Sequence, residues 1–525
     1  MGPSRRQILA WAASAAVLGP LATACSSSGG GSTPKLLRSK LTPPRPFRVP
    51  LPVPPVKKPV RTDSRGDHYE VTVRQEAIEI IPGHRTRVFG YDGIFPGPTF
   101  EARSGRRAFV RQTNALQVPI ATHLHGGHTP AASDGYPTDV TLPVGGGMSH
   151  TGAMPGMASM KDPHAVVTTG VRTYEYPHDQ RAATLWYHDH RMDFSAPQVW
   201  RGLAGMHLVR DDVEAALPLP EGDREVPLLI CDRSFDEDGS FLYPSKDATL
   251  LKTPGVDGGH RGGVLGDVIL VNGAPWPVLD VAAEPYRLRL LNASNAREYG
   301  LALDPPPPGG KAFRQIGGDG GLLPAPRAHD VIEMAPAERF DVVVDFSRYR
   351  VGSLVTLVNR KDSGGPGSVM RFHVAKPGRA RTRTPLPSRL AGDYERLAPP
   401  SSSARRTFNF TSGMVDGLMG WVVNGKPFDP GRADARPKAG VTEIWKFTSD
   451  LRHPIHVHLG GFQVISRGGG GPGAYDAGWK DTVLIKDGEA VTVAIRFDHY
   501  RGRYMFHCHN LEHEDMAMMA NVMVE

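Results

Sequence analysis

Four His-x-His triplets constrain this chain more than any other feature: His123/His125, His188/His190, His456/His458 and His507/His509. Random placement of 21 histidines over 525 positions gives about one such triplet, so four are a pattern to be explained. On a β-strand, side chains alternate between faces, and both imidazoles of a triplet leave the same side. In the last triplet the intervening Cys508 then leaves the opposite side, so one strand can serve two sites. Cys508, His513 five residues on and the thioether of Met518 form a soft ligand set suited to a copper electron-transfer centre. Eight imidazoles converging from two distant segments would hold about three further copper ions and leave open positions for a small molecule. Zinc is the weaker alternative, because zinc sites need only three or four ligands and give no reason for a cysteine between two of the histidines.

The rest of the chain has to bring residues 123–190 and 453–518 together. From Tyr69 onward, short alternating apolar runs are broken by Gly and Pro, of which there are 60 and 48. No long helical period competes with them, and the expectation is an all-β chain of sandwich domains. A weak repeat, Gly93-Ile94-Phe95-Pro96-Gly97-Pro98, Val271-Asn272-Gly273-Ala274-Pro275 and Val423-Asn424-Gly425-Lys426-Pro427, marks three similar units. The expected boundaries are 67–212, 213–376 and 400–525, with a linker over 377–399. Where the outer copies carry histidines the middle one carries Asn292, Ser294 and Asn295, so it is expected to be a spacer without copper ligands.

Residues 1–66 hold 11 Lys/Arg against the single Asp63, which makes that segment +10 and leaves the remainder at −3. A near-neutral body disfavours nucleic acid as a partner. Residues 1–32 read as an export leader: Arg5-Arg6, an apolar run from Ala10 to Ala22, and a Ser/Gly tether. The twin-arginine form implies export of an already folded, metal-loaded chain to an extracellular or cell-surface location. Leu21-Ala22-Thr23-Ala24-Cys25 reads either as a lipobox with a lipid anchor at Cys25 or as an Ala-x-Ala cleavage site. Residues 33–66, basic and Pro-rich, are expected to be a linker or an arm laid along the body. Cys231, in an apolar run, is expected to be an inert core thiol. The insertion at 144–164, with Met148, Met154, Met157, Met160, His150 and His164, reads either as a soft Cu(I) site or as a plain surface loop.

These motifs, with Ser133-Asp134-Gly135-Tyr136, Asp319-Gly320-Gly321-Leu322-Leu323-Pro324, Ala335-Pro336-Ala337-Glu338-Arg339 and Gly478-Trp479-Lys480-Asp481-Thr482, resemble those of the multicopper oxidases, closest to the three-domain bacterial spore-coat laccase and bilirubin oxidase branch. The resemblance spans most of residues 67–525. It implies three cupredoxin-like Greek-key domains and four coppers, with the trinuclear group between the first and third domains. The type 1 copper would take His453, Cys508, His513 and Met518, the last chosen over Met516 and Met519 by the family's spacing. The type 2 copper would take His123 and His456, and the type 3 pair His125, His188, His190, His458, His507 and His509. Glu514 and Asp134 would deliver protons. Read from sequence alone, Glu514 could equally be a residue that orients a histidine, and Asp134 a turn residue.

The implied activity is laccase-type: single electrons are taken from phenols or aminophenols, passed through the Cys508 backbone to His507 and His509, and used to reduce O2 to water. The chain would act as a monomer. The alternatives are a cuprous oxidase using the Met-rich loop and, from another class, a copper-binding electron-transfer protein without O2 chemistry. A copper nitrite reductase is disfavoured by a cluster that needs eight histidines.

Overall fold

The computed structural model describes residues 33–145, 162–379, 385–415 and 417–525. Residues 1–32, expected from the sequence to be an export leader with Cys25, and residues 146–161 of the Met-rich insertion lie outside them.

The described chain is built almost wholly from β-strands in three pairs of sheets. In the first pair, Gly97–Arg103, Ala204–Arg210, Ala183–Asp189 and Thr122–His125 form one sheet, and Val171–Tyr176, Ala108–Asn114 and Asp67–Ile78 lead the other. Their inner faces meet in a core of Val71, Val110, Leu124, Leu185 and Val209. The second pair packs Leu288 and Val342 against Val355 and Phe372, and this core runs on into the first unit at Trp186, Met206 and Leu208. In the third, the sheet containing Arg405–Val415 and Thr442–Ser449 faces the sheet ordered Thr482–Ile485, His453–Val457, Gly502–Cys508, Met519–Val524. Each unit mixes antiparallel pairs with at least one parallel pair, such as Asp67–Ile78 with Ala108–Asn114, Glu225–Phe235 with Pro285–Asn292 and Arg405–Val415 with Thr442–Ser449. Such pairs require crossovers rather than hairpins.

Strand Gly502–Cys508 shows how alternation sorts side chains. Tyr504, Phe506 and Cys508 enter the third unit's core, whereas Met505 joins a separate cluster with Tyr136, Met192 and Met519 on the other side. Tyr504 and Phe506 are fully buried, each worth about 1.5–3 kcal/mol relative to exposure. A slip of one residue would turn both outward and send Cys508 to the wrong face, so the apolar pair fixes the thiol's side.

Residues 33–60 run along the body as an arm. Lys35–Leu36 pairs in parallel with Val264–Leu265, Ser39 bonds Asp267, and Val56 bridges to Thr99, so the arm ties the second unit to the first. Cys231 is fully buried, and burial pushes its thiol up to about 11, as an inert core cysteine requires.

Candidate metal centre

Two strand pairs carry the histidines. His123 lies directly across from His188 on the first unit's strands, and His456 across from His507 on the third's. The second histidine of three triplets lies just past its strand: Ala183–Asp189 ends before His190, His453–Val457 before His458, and Gly502–Cys508 before His509. The rigid strand thus fixes one imidazole, and the turn swings the next toward the facing unit.

The eight imidazoles are buried and form three sets with ligand atoms within 4.8 Å: His123 with His456 and His458, His125 with His188 and His509, and His190 with His458 and His507. Their hydrogen bonds identify the nitrogens left over. His123 Nδ1 donates to the Asp134 carbonyl at 2.6 Å and His456 Nδ1 to the Asp481 carbonyl at 2.9 Å. Both Nε2 atoms therefore carry lone pairs, yet they face each other at 3.3 Å. His458 Nδ1 meets Asp134 Oδ2 at 2.7 Å, His507 Nδ1 lies 3.1 Å from Glu514, and their Nε2 atoms again face at 3.3 Å. His190 Nε2 stands at the same distance from His507 Nε2. His125 is turned the other way: its Nε2 reaches Asp481 Oδ1 at 3.1 Å, and its Nδ1 has no hydrogen-bond partner. His188 Nε2 and both nitrogens of His509 are likewise without one.

Lone pairs facing one another in a buried space cannot satisfy each other by hydrogen bonding; a cation between them does so. Protonation is opposed by burial and by the neighbouring imidazoles, which hold His123, His125, His458 and His509 well below the usual histidine range. Burial also lowers His188 to about 3 and His190 to about 4. Neutral imidazoles are the form that binds metal, and the donor set fits the copper ions the triplets predicted.

On the opposite face of the Cys508 strand, His453 Nδ1 and His513 Nδ1 stand 3.4 and 3.6 Å from the Cys508 sulfur and 3.0 Å from each other. Met518 is fully buried in the same core cluster as Cys508, while Met519 turns to another cluster and Met516 is half-buried. The indole of Trp421 stacks on His513 with centroids 3.9 Å apart.

Both carboxylates singled out in the sequence lie against the histidines. Glu514 lies 3.5 Å from His190 Nδ1 and 3.1 Å from His507 Nδ1. Burial would raise its carboxyl, but those two imidazoles outweigh it and hold it down at about 2. Asp134 closes the short helical turn Ala131–Ser133 and also contacts two histidines, so its turn role and its site role coincide. Burial pushes its carboxyl well above the usual range.

The middle unit is more than a spacer. It contributes no member of the histidine clusters among the described residues, but its Arg339 donates from Nη1 to Asp481 Oδ1 at 2.7 Å and from Nε to the Thr184 carbonyl at 2.9 Å. One guanidinium thereby joins all three units behind His125 and His456. Asp481 and Arg339 stand in the Gly478–Thr482 and Ala335–Arg339 motifs, which marked them without giving a role. A cavity of about 300 Å³ reaches Asp481 from the surface, lined by Gly126, His128, Gln180 and Trp479.

Family models described as multicopper oxidase match residues 399–525 and 72–153 with 145–214. A laccase from Bacillus subtilis is 35% identical, covering 89% of this chain and 96% of that protein. The chain belongs to the multicopper oxidase family. A bilirubin oxidase from Albifimbria verrucaria is 34% identical over 90% of this chain and 80% of its own. The crystal structure of a multi-copper oxidase from Pediococcus acidilactici superposes with a TM-score of 0.78 at 31% identity, covering 94% of this chain and 93% of that one. As a multicopper oxidase the protein is a copper oxidoreductase with four coppers that uses O2 as acceptor, and its three units are cupredoxin-like sandwiches.

Proposed function

We propose that His453, Cys508, His513 and Met518 hold the type 1 copper, His123 and His456 the type 2 copper, and His125, His188, His190, His458, His507 and His509 the type 3 pair, in an oxidase of phenolic or aminophenolic donors. The observation that carries the reading is the set of opposed Nε2 lone pairs at 3.3 Å, two of them shared by His507 on the strand whose next residue, Cys508, meets His453 and His513. When bound, the coppers supply one-electron storage and the reducing power for O2.

The chain's own residues do the rest. Cys508 joins the two ligand sets covalently, since a single peptide bond on either side leads to His507 and His509. Asp481 and Arg339 fix the nitrogen that His125 turns inward. Glu514, against the outer nitrogens of His190 and His507, is placed to hold and pass protons toward the space their inner nitrogens face. Asp134 aligns His458 and serves the same route from the other side. The laccase and the bilirubin oxidase among its relatives favour an organic donor over Cu(I), and apart from His164 the residues on which a Cu(I) site would rest lie outside those described.

Loaded with Cu(II), the protein is expected to develop an intense blue absorption and to consume O2 with a phenol such as syringic acid. Copper binding without O2 uptake on any phenol, aminophenol or bilirubin would overturn the reading.

A further inference from the structure

The outer edge of the type 1 histidine is closed. His513 is 2% exposed, and the Gly262 carbonyl, from a loop of the second unit, hydrogen-bonds to it. The same carbonyl accepts from Asn510 Nδ2 at 2.9 Å, and that amide stands 3.3 Å from His513 Nε2. Over this loop lies the N-terminal arm. Lys35 N donates to the Gly263 carbonyl at 2.9 Å, and a Cβ added to Gly262 would fall 2.5 Å from the backbone of Thr33. Two layers of backbone thus separate the histidine edge from solvent, and a donor cannot touch that edge in this arrangement.

One side chain leads outward past the cover. Among the described residues, Trp421 is the only aromatic outside the ligand set in contact with the type 1 imidazoles: it stacks on His513 at 3.9 Å and meets His453 edge-on at 5.4 Å. Its Nε1 donates to the Arg261 carbonyl at 3.1 Å, which fixes the ring. Trp421 is itself only 3% exposed. Its strand, Leu418–Val423, pairs with Arg405–Val415 so that Met419 stands directly opposite Met414. Alternation puts Met419 on the face of Trp421, and Met414 on the face of the buried Phe410. That face therefore runs from the core, past the indole, to two methionines that are 52% and 58% exposed.

Building on the donor class proposed above, we propose that an aromatic donor rests on Met414 and Met419 and that its electron reaches the type 1 site through the indole of Trp421, with the Gly262 cover staying shut. Thioethers make favourable contacts with aromatic rings and adapt to different ones, which suits a surface seat without a shaped pocket. The donor phenol loses one electron and its hydroxyl proton. The proton goes to bulk water, and the electron to the type 1 site. Trp421 shortens the gap and is not itself oxidised, so it is a positioning residue.

Two measurements on the copper-loaded protein test this. In the fully reduced enzyme under argon, where syringic acid binds without reacting, methionine methyl NMR is expected to show ring-current shifts at Met414 and Met419 and none at Met516. Shifts elsewhere only, or none, would overturn the seat. In rapid mixing without O2, Trp421→Leu is expected to slow reduction of the type 1 centre by syringic acid about tenfold, and Trp421→Phe, which keeps a stacked ring, by much less. Both variants should keep the blue spectrum and the rate of reoxidation by O2, which a merely structural role for Trp421 would disturb. Faster reduction in Trp421→Leu, or in Gly262→Ala, which displaces the arm, would mean that the cover is a gate and would sink the proposal. Failure of the wild type to be reduced by any organic donor would instead refute the proposed donor class.

Discussion

The two faces of the Cys508 strand carry metal sites of opposite character. On the side of the eight histidines three carboxylates touch imidazoles: Asp134 on His458, Glu514 on His507 and His190, Asp481 on His125. A cavity leads there from the surface. On the Cys508 side the contacts are indole, backbone carbonyl and amide, with Asp450, 3.5 Å from His453 Nε2, the one carboxylate in contact with its two histidines among the described residues. The difference follows from the work. O2 reduction consumes protons and must be supplied with them, whereas electron entry needs close packing and a fixed geometry. One strand separates the two because its side chains alternate.

Cutting the link between the faces should have the largest effect. Cys508→Ser is expected to abolish oxidase turnover and the blue absorption, while copper analysis still finds the three ions of the histidine cluster; retained turnover would mean that electrons reach His507 and His509 by another route. Next comes proton supply. Glu514→Gln should lower O2 turnover by about a hundredfold or more while anaerobic reduction of the type 1 centre keeps its rate, and Asp450→Asn should leave O2 turnover near wild type. Equal losses in both would erase the contrast between the faces.

Arg339→Leu leaves Asp481 buried without its cation, while Asp319 keeps Lys480 at 3.0 Å; breaking such a buried pair costs about 3–5 kcal/mol. Denaturant unfolding should register it, together with weaker copper retention at His123 and His456 and an intact blue spectrum. The smallest effect is expected at the axial position. Met518→Leu should keep the enzyme active and raise the type 1 potential in a redox titration, whereas Met516→Leu, at the half-buried margin of that core, and Met519→Leu, in another cluster, should leave the potential unchanged.

The candidate ligands were legible because ligand chemistry is local in sequence: a triplet, and a cysteine between two histidines, to which the family's spacing added Met518. The sandwich fold was legible in its alternation and its Gly/Pro punctuation. What holds the ligands was less so. Asp481 meets Arg339 across 142 positions, Asn510 meets Gly262 across 248, and Trp421 gives no local hint that it stacks on His513. Such pairs are set by how the sheets stack, and no periodicity within a strand encodes them. The turn of His125 toward its Nδ1 is of the same kind, because its Nε2 is claimed by a carboxylate from the far end of the chain.

The opposed nitrogens of His123 and His456 are 333 residues apart, and His507 and His509 stand close to the C-terminus. During synthesis the first half of the cluster is therefore made long before the second exists, and closing so long a loop carries an entropy cost that only the finished interface can offset. A chain lacking the strand Met519–Val524 keeps every histidine but has no partner on the free side of the Cys508 strand. The full copper set can therefore be assembled only once that strand is paired, and a chain cut before Met519 would lose its metals through lost architecture, with every histidine still present.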